Sequence, residues 1–246
     1  VLRDQGEGPD LQVSPNGDIH QRIADLARNL HNSPQDTADV VLERMVEYAV
    51  SEIPGAKYAG VTLAKSASHL ETPATTHPFP ALLDVIQERH GQGPCLSAAW
   101  QQHTVRIDDL ADDYRWPSYR RDALKATPIR SILSFRLFSS DQTVGALNLY
   151  ADQPHAFDEE SEEIGYVFAT HAALAWDTVR REEQFRSALA SRDLIGQAKG
   201  ILMARFGIDA IQAFELLKRV SQDSNTRLVE VARKLTTMRN FDQLIT

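Results

Sequence analysis

Five residues near the C-terminal end of the chain, Lys199, Arg219, Ser221, Gln222 and Asn225, combine two cations with a hydroxyl and two amides. Cations neutralise phosphates, while hydroxyl and amide side chains bond sugar hydroxyls and the edges of unstacked bases. Such a set suits single-stranded RNA loops better than the groove of an RNA duplex. No comparable set for covalent chemistry is legible. The histidines at 69, 77, 90, 103, 155 and 171 have neither metal-ligand spacing nor a nucleophile beside them. Asp108, Asp109, Asp112 and Asp113 lack the glycine and terminal glutamate of a calcium loop, and read as turn and helix caps. The expectation is a protein that is not an enzyme, with no cofactor and no metal.

Charge separates the same region from the rest. From Arg186 to Thr246 ten Lys or Arg face six Asp or Glu, net +4, against −12 on residues 1–185. A basic module on an acidic body suits a polyanion, although a solvated helical surface accounts for the charge as well. With 42% apolar and 24% charged residues over 246 positions, the chain is sized for one or two globular domains. No run approaches the roughly 20 apolar residues a membrane span needs. Val1 to Asp18 is polar with scattered Gly and Pro, has no apolar signal region and starts without Met. We expect it to be a disordered N-terminus, trimmed or incomplete. Cys95 is the single cysteine, which excludes an internal disulfide and fits a reducing, cytoplasmic compartment. Two roles fit Cys95: a redox- or ligand-sensing thiol, and a small buried hydrophobe.

Three helices would position the cationic set. Ile195, Ala198, Leu202 and Phe206 share one face of the first, which Gly207 ends as a left-handed cap. Asp209 with Gln212 three residues later makes a capping-box pattern for the second, whose apolar face is Ala213, Phe214, Leu217 and Val220. Ser224 or Asn225 caps the third, with face Leu228, Val231, Ala232 and Leu235. Gly200 allows another helix to approach closely, with Phe214 as its expected neighbour. With Phe206 and Phe214 read as core, the cationic surface holds no aromatic ring, so base stacking would need an Arg plane. Ser221 and Asn225 have a second reading, as terminators and caps of helices.

The strings Ile195–Gly207, Ala213–Gln222 and Asn225–Ala232 together resemble the ANTAR family of RNA-binding antiterminator domains. The resemblance covers Ala198, Lys199, Gly200, Ala213, Phe214, Ser221, Asn225 and Ala232. It implies binding to paired hairpin loops of nascent transcripts, favouring an antiterminator over a terminator.

Ahead of this module, apolar residues at helical spacing (Ile23, Leu26, Ala27, Leu30; then Val40, Val41, Met45, Ala49, Ile53) predict two helices broken by Asn32-Ser33-Pro34. Strands are expected at Tyr58–Ala64, within Ser68–Thr76, at Thr104–Ile107, and as a hairpin of Ser131–Phe138 and Val144–Ala151 joined by Ser139–Gln142. This is an α+β pattern, an antiparallel sheet with helices on one side. The phrases Gly93-Pro94-Cys95, Val105–Leu110, Arg115-Trp116-Pro117, Ile129–Ser134, Gly145–Tyr150 and Phe157–Glu160 resemble the GAF small-molecule sensor domains over Ile19–Val179. The resemblance implies a ligand cavity between the sheet and Ala81–Thr127, for which Leu96, Trp100, Trp116, Tyr119 and Phe135 are the candidate lining residues. Asn148 is followed by Leu149 where cyclic-nucleotide-binding members have Asn-Lys, which counts against that ligand. A solid sheet serving only as a dimerisation platform fits the same residues.

Between the two modules Asp158 can cap a helix, and no Pro follows, so residues 159–206 read as one connecting helix of roughly 70 Å, too long to stand without a partner. A parallel homodimer through that helix is one reading; a break near Ser187 to Ser191 is the other. The residues thus divide into a GAF-like sensor domain at 19–179, the helix, and an ANTAR-like domain at 187–246. The functional expectation is a signal-responsive antitermination regulator. The alternative is a ligand or redox sensor that does not bind RNA and whose helical tail docks a protein partner.

Overall fold

The computed structural model describes residues 37–66, 69–100, 103–138 and 144–237. The expected N-terminal disorder at 1–18, the first predicted helix and the Ser139–Gln142 turn lie outside them.

Helix α1 (Ala38–Glu52) starts where the Thr37 hydroxyl accepts the Val40 amide at 3.4 Å. Its stripe of Ala38, Val41, Leu42, Met45, Val46 and Ala49 is buried, as 3.6-residue periodicity requires. Then follow β1 (Tyr58–Ser66), β2 (His69–Thr75), α2 (Pro78–His90), α3 (Pro94–Trp100), β3 (Thr104–Ile107), α4 (Pro117–Ala126), β4 (Ser131–Phe138) and β5 (Val144–Ala151). Each of α2, α3 and α4 opens on a proline, where the missing N–H would have had no helical partner. The strands form one antiparallel sheet in the order β2-β1-β5-β4-β3.

The sheet is covered on both faces, not on the one side that the order of elements suggests. Alternation sends Leu133, Phe135, Leu137, Leu147 and Leu149 to the face packed by α1. Ile132 and Tyr150 point the other way, beneath Leu83 and Ile86 of α2 and Tyr119 and Ala123 of α4. Cys95 and Ala98 of α3 close the same roof over Ala146 and Val105. Apolar residues at both alternations of β4 and β5 leave neither face fit for water, so a second helical layer is required.

Helix α5 (Glu159–Phe206) has 48 residues and is continuous through Ser187 to Ser191. Asp158 Oδ1 accepts the Ser161 amide at 2.9 Å, and Glu159, Glu160 and Glu162 stand at the positive end of the dipole. Ile164, Phe168, Ala172 and Trp176 of this helix join the α1 face of the sheet. The chain divides into two compact units between Arg180 and Arg181. Within the second unit, α6 (Ala210–Asp223) and α7 (Leu228–Thr237) complete a three-helix core of Ala198, Leu202, Ala213, Leu217, Val231, Ala232 and Leu235. Among the described residues no helix is long and apolar enough to cross a membrane.

Candidate functional site

The second unit is fastened by local chemistry at its turns. Gly207 takes φ +64°, the left-handed region that glycine enters without penalty, and its N–H donates to the Met203 carbonyl at 3.0 Å. Asp209 Oδ1 accepts the amides of Ile211 and Gln212 at 2.9 and 2.8 Å, while Gln212 Oε1 accepts the Asp209 amide at 3.1 Å. The capping box read from the sequence is therefore formed. At the far end of α6, Ser221 Oγ donates to the Thr226 carbonyl at 2.6 Å and Ser224 Oγ to the Val220 carbonyl at 2.6 Å. Asn225 follows with φ +48°. Helix α7 starts beyond it, with the Arg227 carbonyl accepting the Glu230 and Val231 amides at 2.9 and 3.1 Å. Neither Ser224 nor Asn225 caps α7; both belong to the exit from α6.

The candidate RNA contacts thus fall into groups. Arg219, Gln222 and Asn225 are exposed at one end of α6 and its turn, and Arg219 makes no ion pair with a described residue. Ser221 is half-buried and its hydroxyl is committed to the turn. Lys199 belongs to α5 and has its Nζ 6.0 Å from the centroid of the Phe214 ring. Nearby cations Lys218 and Arg233 pair loosely with Glu215 at 3.7 Å and Glu230 at 3.6 Å, exposed contacts that a phosphate can replace.

Two core assignments and one contact fail here. Phe206 and Phe214 are 44% and 37% exposed: the core between α5 and α6 is made by Ala198, Leu202, Ala213 and Leu217, and the two rings stay outside it. Gly200 does not receive Phe214: a Cβ built there would have no described atom within 4 Å. The surface beside Lys199 therefore carries an aromatic ring after all.

In the first unit, Leu96, Trp116 and Tyr119 lie under or within the α2–α4 roof, Leu96 and Tyr119 buried and Trp116 half-buried with the Arg115 guanidinium 4.6 Å from its ring. Trp100 closes α3, its side chain outside what the structure describes. Phe135 is separated from this group. It occupies the opposite face of the sheet, because it is odd in the β4 alternation that puts Ile132 under the roof.

What the candidate set missed is polar. Asp84 of α2 is 3% exposed, and its carboxylate accepts Thr62 Oγ1 at 2.6 Å, Thr72 Oγ1 at 2.8 Å and Gln87 Nε2 at 3.0 Å. Burial pushes its pKa up to about 6 against these three hydrogen bonds and the nearby Cys95 thiol, which favour the charged form. Asn148 Nδ2 donates to Thr62 Oγ1 at 2.8 Å, and Gln87 Oε1 accepts the Cys95 amide at 2.9 Å. Cys95 Sγ lies 3.6 Å from Tyr150 Oη, and burial followed by the charge of Asp84 raises its thiol pKa. Three buried polar atoms in this layer, Asn148 Oδ1, Ser134 Oγ and Tyr119 Oη, have no hydrogen-bond partner among the described residues. Asn148 and Ser134 are register partners on β5 and β4. The available signal was Thr62, Asn148 and Asp84, each a polar residue inside an apolar run. Two of the histidines serve structure: His77 Nδ1 accepts the Phe79 amide at 3.3 Å, and His90 Nε2 lies 2.8 Å from Asp122 Oδ2.

Comparison with known proteins assigns the two units. The GAF domain model matches residues 35–177, and the ANTAR domain model matches 183–235. Over 54 residues the chain is 41% identical to the nitrate regulatory protein of Klebsiella oxytoca, a stretch that is 22% of this chain and 14% of that protein. Among solved structures, a GAF domain from a phosphoenolpyruvate-protein phosphotransferase of Coxiella burnetii matches at a TM-score of 0.54 and 16% identity, over 70% of this chain and 99% of that one. The free methionine-R-sulfoxide reductase of Neisseria meningitidis matches at 0.52 and 15% identity, over 71% and 98%. At these identities the likeness is one of fold.

Proposed function

Since the chain belongs to the GAF domain family and carries an ANTAR domain behind it, we propose that it is a cytoplasmic antitermination regulator in which the sensor domain gates RNA binding by the tail. The observation that carries this reading is the uncommitted group at the end of α6: Arg219, Gln222 and Asn225 are exposed, and Arg219 is bound to no described acid. A cation with no partner among the described residues is well placed to take a phosphate, and the amides beside it can bond loop bases. Arg219 and Lys199 act on phosphates; Gln222 and Asn225 act on base or sugar; Ser221 shapes the turn that presents them.

The signal is a small molecule or protein recognised at the GAF domain. The Asn148, Ser134 and Tyr119 atoms under the roof, without a partner among the described residues, support a polar ligand there, because buried polar groups are otherwise satisfied. Gating requires that the signal bind one of two arrangements better than the other. The partner of the long helix is a second copy of the chain. Leu174, Phe185 and Leu189 on α5 are 63%, 64% and 44% exposed, apolar surface that a paired helix would cover.

Titrating the full chain with a tandem-hairpin RNA and a scrambled control across a salt series tests the reading. We expect selective binding that weakens steeply with salt, with Lys199→Ala and Arg219→Ala each weakening it and lowering the log–log slope by about 1. Equal, weak binding of both RNAs by all three proteins would leave the tail as a protein-docking bundle.

A further inference from the structure

We propose that Phe214 is a stacking platform for one unpaired base of the RNA hairpin loop, with Lys199 placed to take the phosphate beside that base. The inference rests on the RNA-binding reading above and gives it a chemical contact that the cationic residues alone do not supply.

Exposure is the first observation. Phe214 stands 37% exposed on a bundle whose buried positions on the same helix are Ala213 and Leu217, so its ring is not consumed by the core. Its neighbour is a cation: Lys199 Nζ reaches to 6.0 Å from the ring centroid, the range of a cation–π contact. The backbone beside Lys199 is also open, since no described atom lies within 4 Å of a Cβ position on Gly200. An approaching loop therefore meets a flat ring, an ammonium group on a flexible stem and an unobstructed helix surface together.

Chemistry selects the occupant. A protein partner's apolar side chain would use the ring but meet an ammonium with no described acid beside it, whose desolvation costs binding. A nucleotide uses both: its base has a π-face that stacks on any aromatic ring, and its phosphate carries the charge that draws Lys199 off the ring. In the free protein the ammonium caps the ring; in the complex the base takes its place and the ammonium moves to the phosphate. Lys218, one helical turn beyond Phe214, adds a second cation whose only tie among the described residues is the exposed 3.7 Å contact to Glu215. Stacking tolerates any base, so this contact supplies affinity and fixes the loop, while the amides at the end of α6 supply selection.

The test uses the full chain and tandem-hairpin RNAs carrying 2-aminopurine at one loop position at a time, whose fluorescence is quenched on stacking. Wild type, Phe214→Leu and Phe214→Trp are compared for affinity and quenching, with thermal melts to show that each is folded. We expect quenching at one position for wild type and for Phe214→Trp. With Phe214→Leu we expect that quenching to be lost and affinity to fall roughly 10- to 100-fold. If wild type binds the hairpins selectively and Phe214→Leu matches it in affinity and quenching, stacking is overturned while RNA binding stands. Weaker binding by a folded Phe214→Leu with no change in quenching would also overturn it, by giving the ring another role. If wild type does not distinguish hairpin from scrambled RNA, both readings fall together.

Discussion

Gly165 and Phe135 meet across the interface between α5 and the sheet so closely that a Cβ on Gly165 would lie 2.4 Å from the Phe135 ring. Phe135 is 1% exposed and walled in by the α1 face of the core, so its ring has little room to yield. Glycine inside a helix costs about 1 kcal/mol relative to alanine, and here close packing offsets that cost. Gly165→Ala should therefore destabilise the sensor unit by about 1–3 kcal/mol in urea denaturation, the overpacking penalty exceeding the gain in helix propensity. A neutral or stabilising result would mean that Phe135 can rotate away.

Asp84 makes the sensor unit's stability depend on pH in a defined direction. Its folded pKa of about 6 lies above the ordinary carboxylate value, so between those two values the native state holds the proton that the unfolded state has lost. Stability from this group is fully present below the unfolded pKa and falls as pH rises toward the folded one. The loss is on the order of 3 kcal/mol by pH 7, taking about 1.4 kcal/mol per pH unit. Asp84→Asn keeps an acceptor for Thr62 and Thr72 and removes the titration. The difference in unfolding free energy between wild type and Asp84→Asn should change by that amount from pH 4 to 7 and level off above. A flat difference would show that Asp84 titrates alike in both states.

The capping box at the start of α6 gives a local stability prediction. Asp209 satisfies two otherwise orphaned amides, at 2.9 and 2.8 Å, and Gln212 returns a bond to the cap. Asp209→Ala should cost about 1 kcal/mol in the C-terminal unit and leave the sensor unit unchanged, since the contacts it loses are all within one turn. Hydrogen exchange resolved by segment would separate the two, with α6 losing protection first. Uniform loss across both units would contradict a local role.

What could be read in advance follows from how local the signal is. The Asp209–Gln212 box, the Gly207 cap and the Asp158 start of α5 are set by residues within a turn of each other, and each formed as expected. Ala198, Leu202, Ala213 and Leu217 were legible from spacing. Phe214 and Phe206 were not, because periodicity assigns a residue to a face but cannot say how wide the buried part is. Phe135 was misplaced among the cavity candidates for a related reason. One position along a strand exchanges the two faces of a sheet, and with both faces apolar hydrophobicity does not tell them apart. The polar layer around Asp84 draws on β1, β2, β5, α2 and α3, a convergence that no spacing announces.

Ser221, Arg219 and Asn225 lie within seven residues, and the structure gives them different duties that mutation can separate. Ser221 Oγ closes the turn onto the Thr226 carbonyl, so Ser221→Ala should lower bundle stability by about 1 kcal/mol and change RNA affinity less than twofold while the bundle stays folded. Arg219 is exposed and tied to no described residue, so Arg219→Ala should leave stability within about 0.5 kcal/mol and weaken RNA binding with a shallower salt dependence. Asn225 is the discriminating case, because its φ of +48° gives the residue a backbone reason to be there. Alanine at this position would mix strain with loss of the amide. Asn225→Gly removes the amide and keeps the left-handed turn at little cost, so stability should hold. If affinity for the hairpin then falls severalfold, the side chain touches RNA. Unchanged affinity would reduce Asn225 to a turn residue, and base contact on this surface would rest on Gln222.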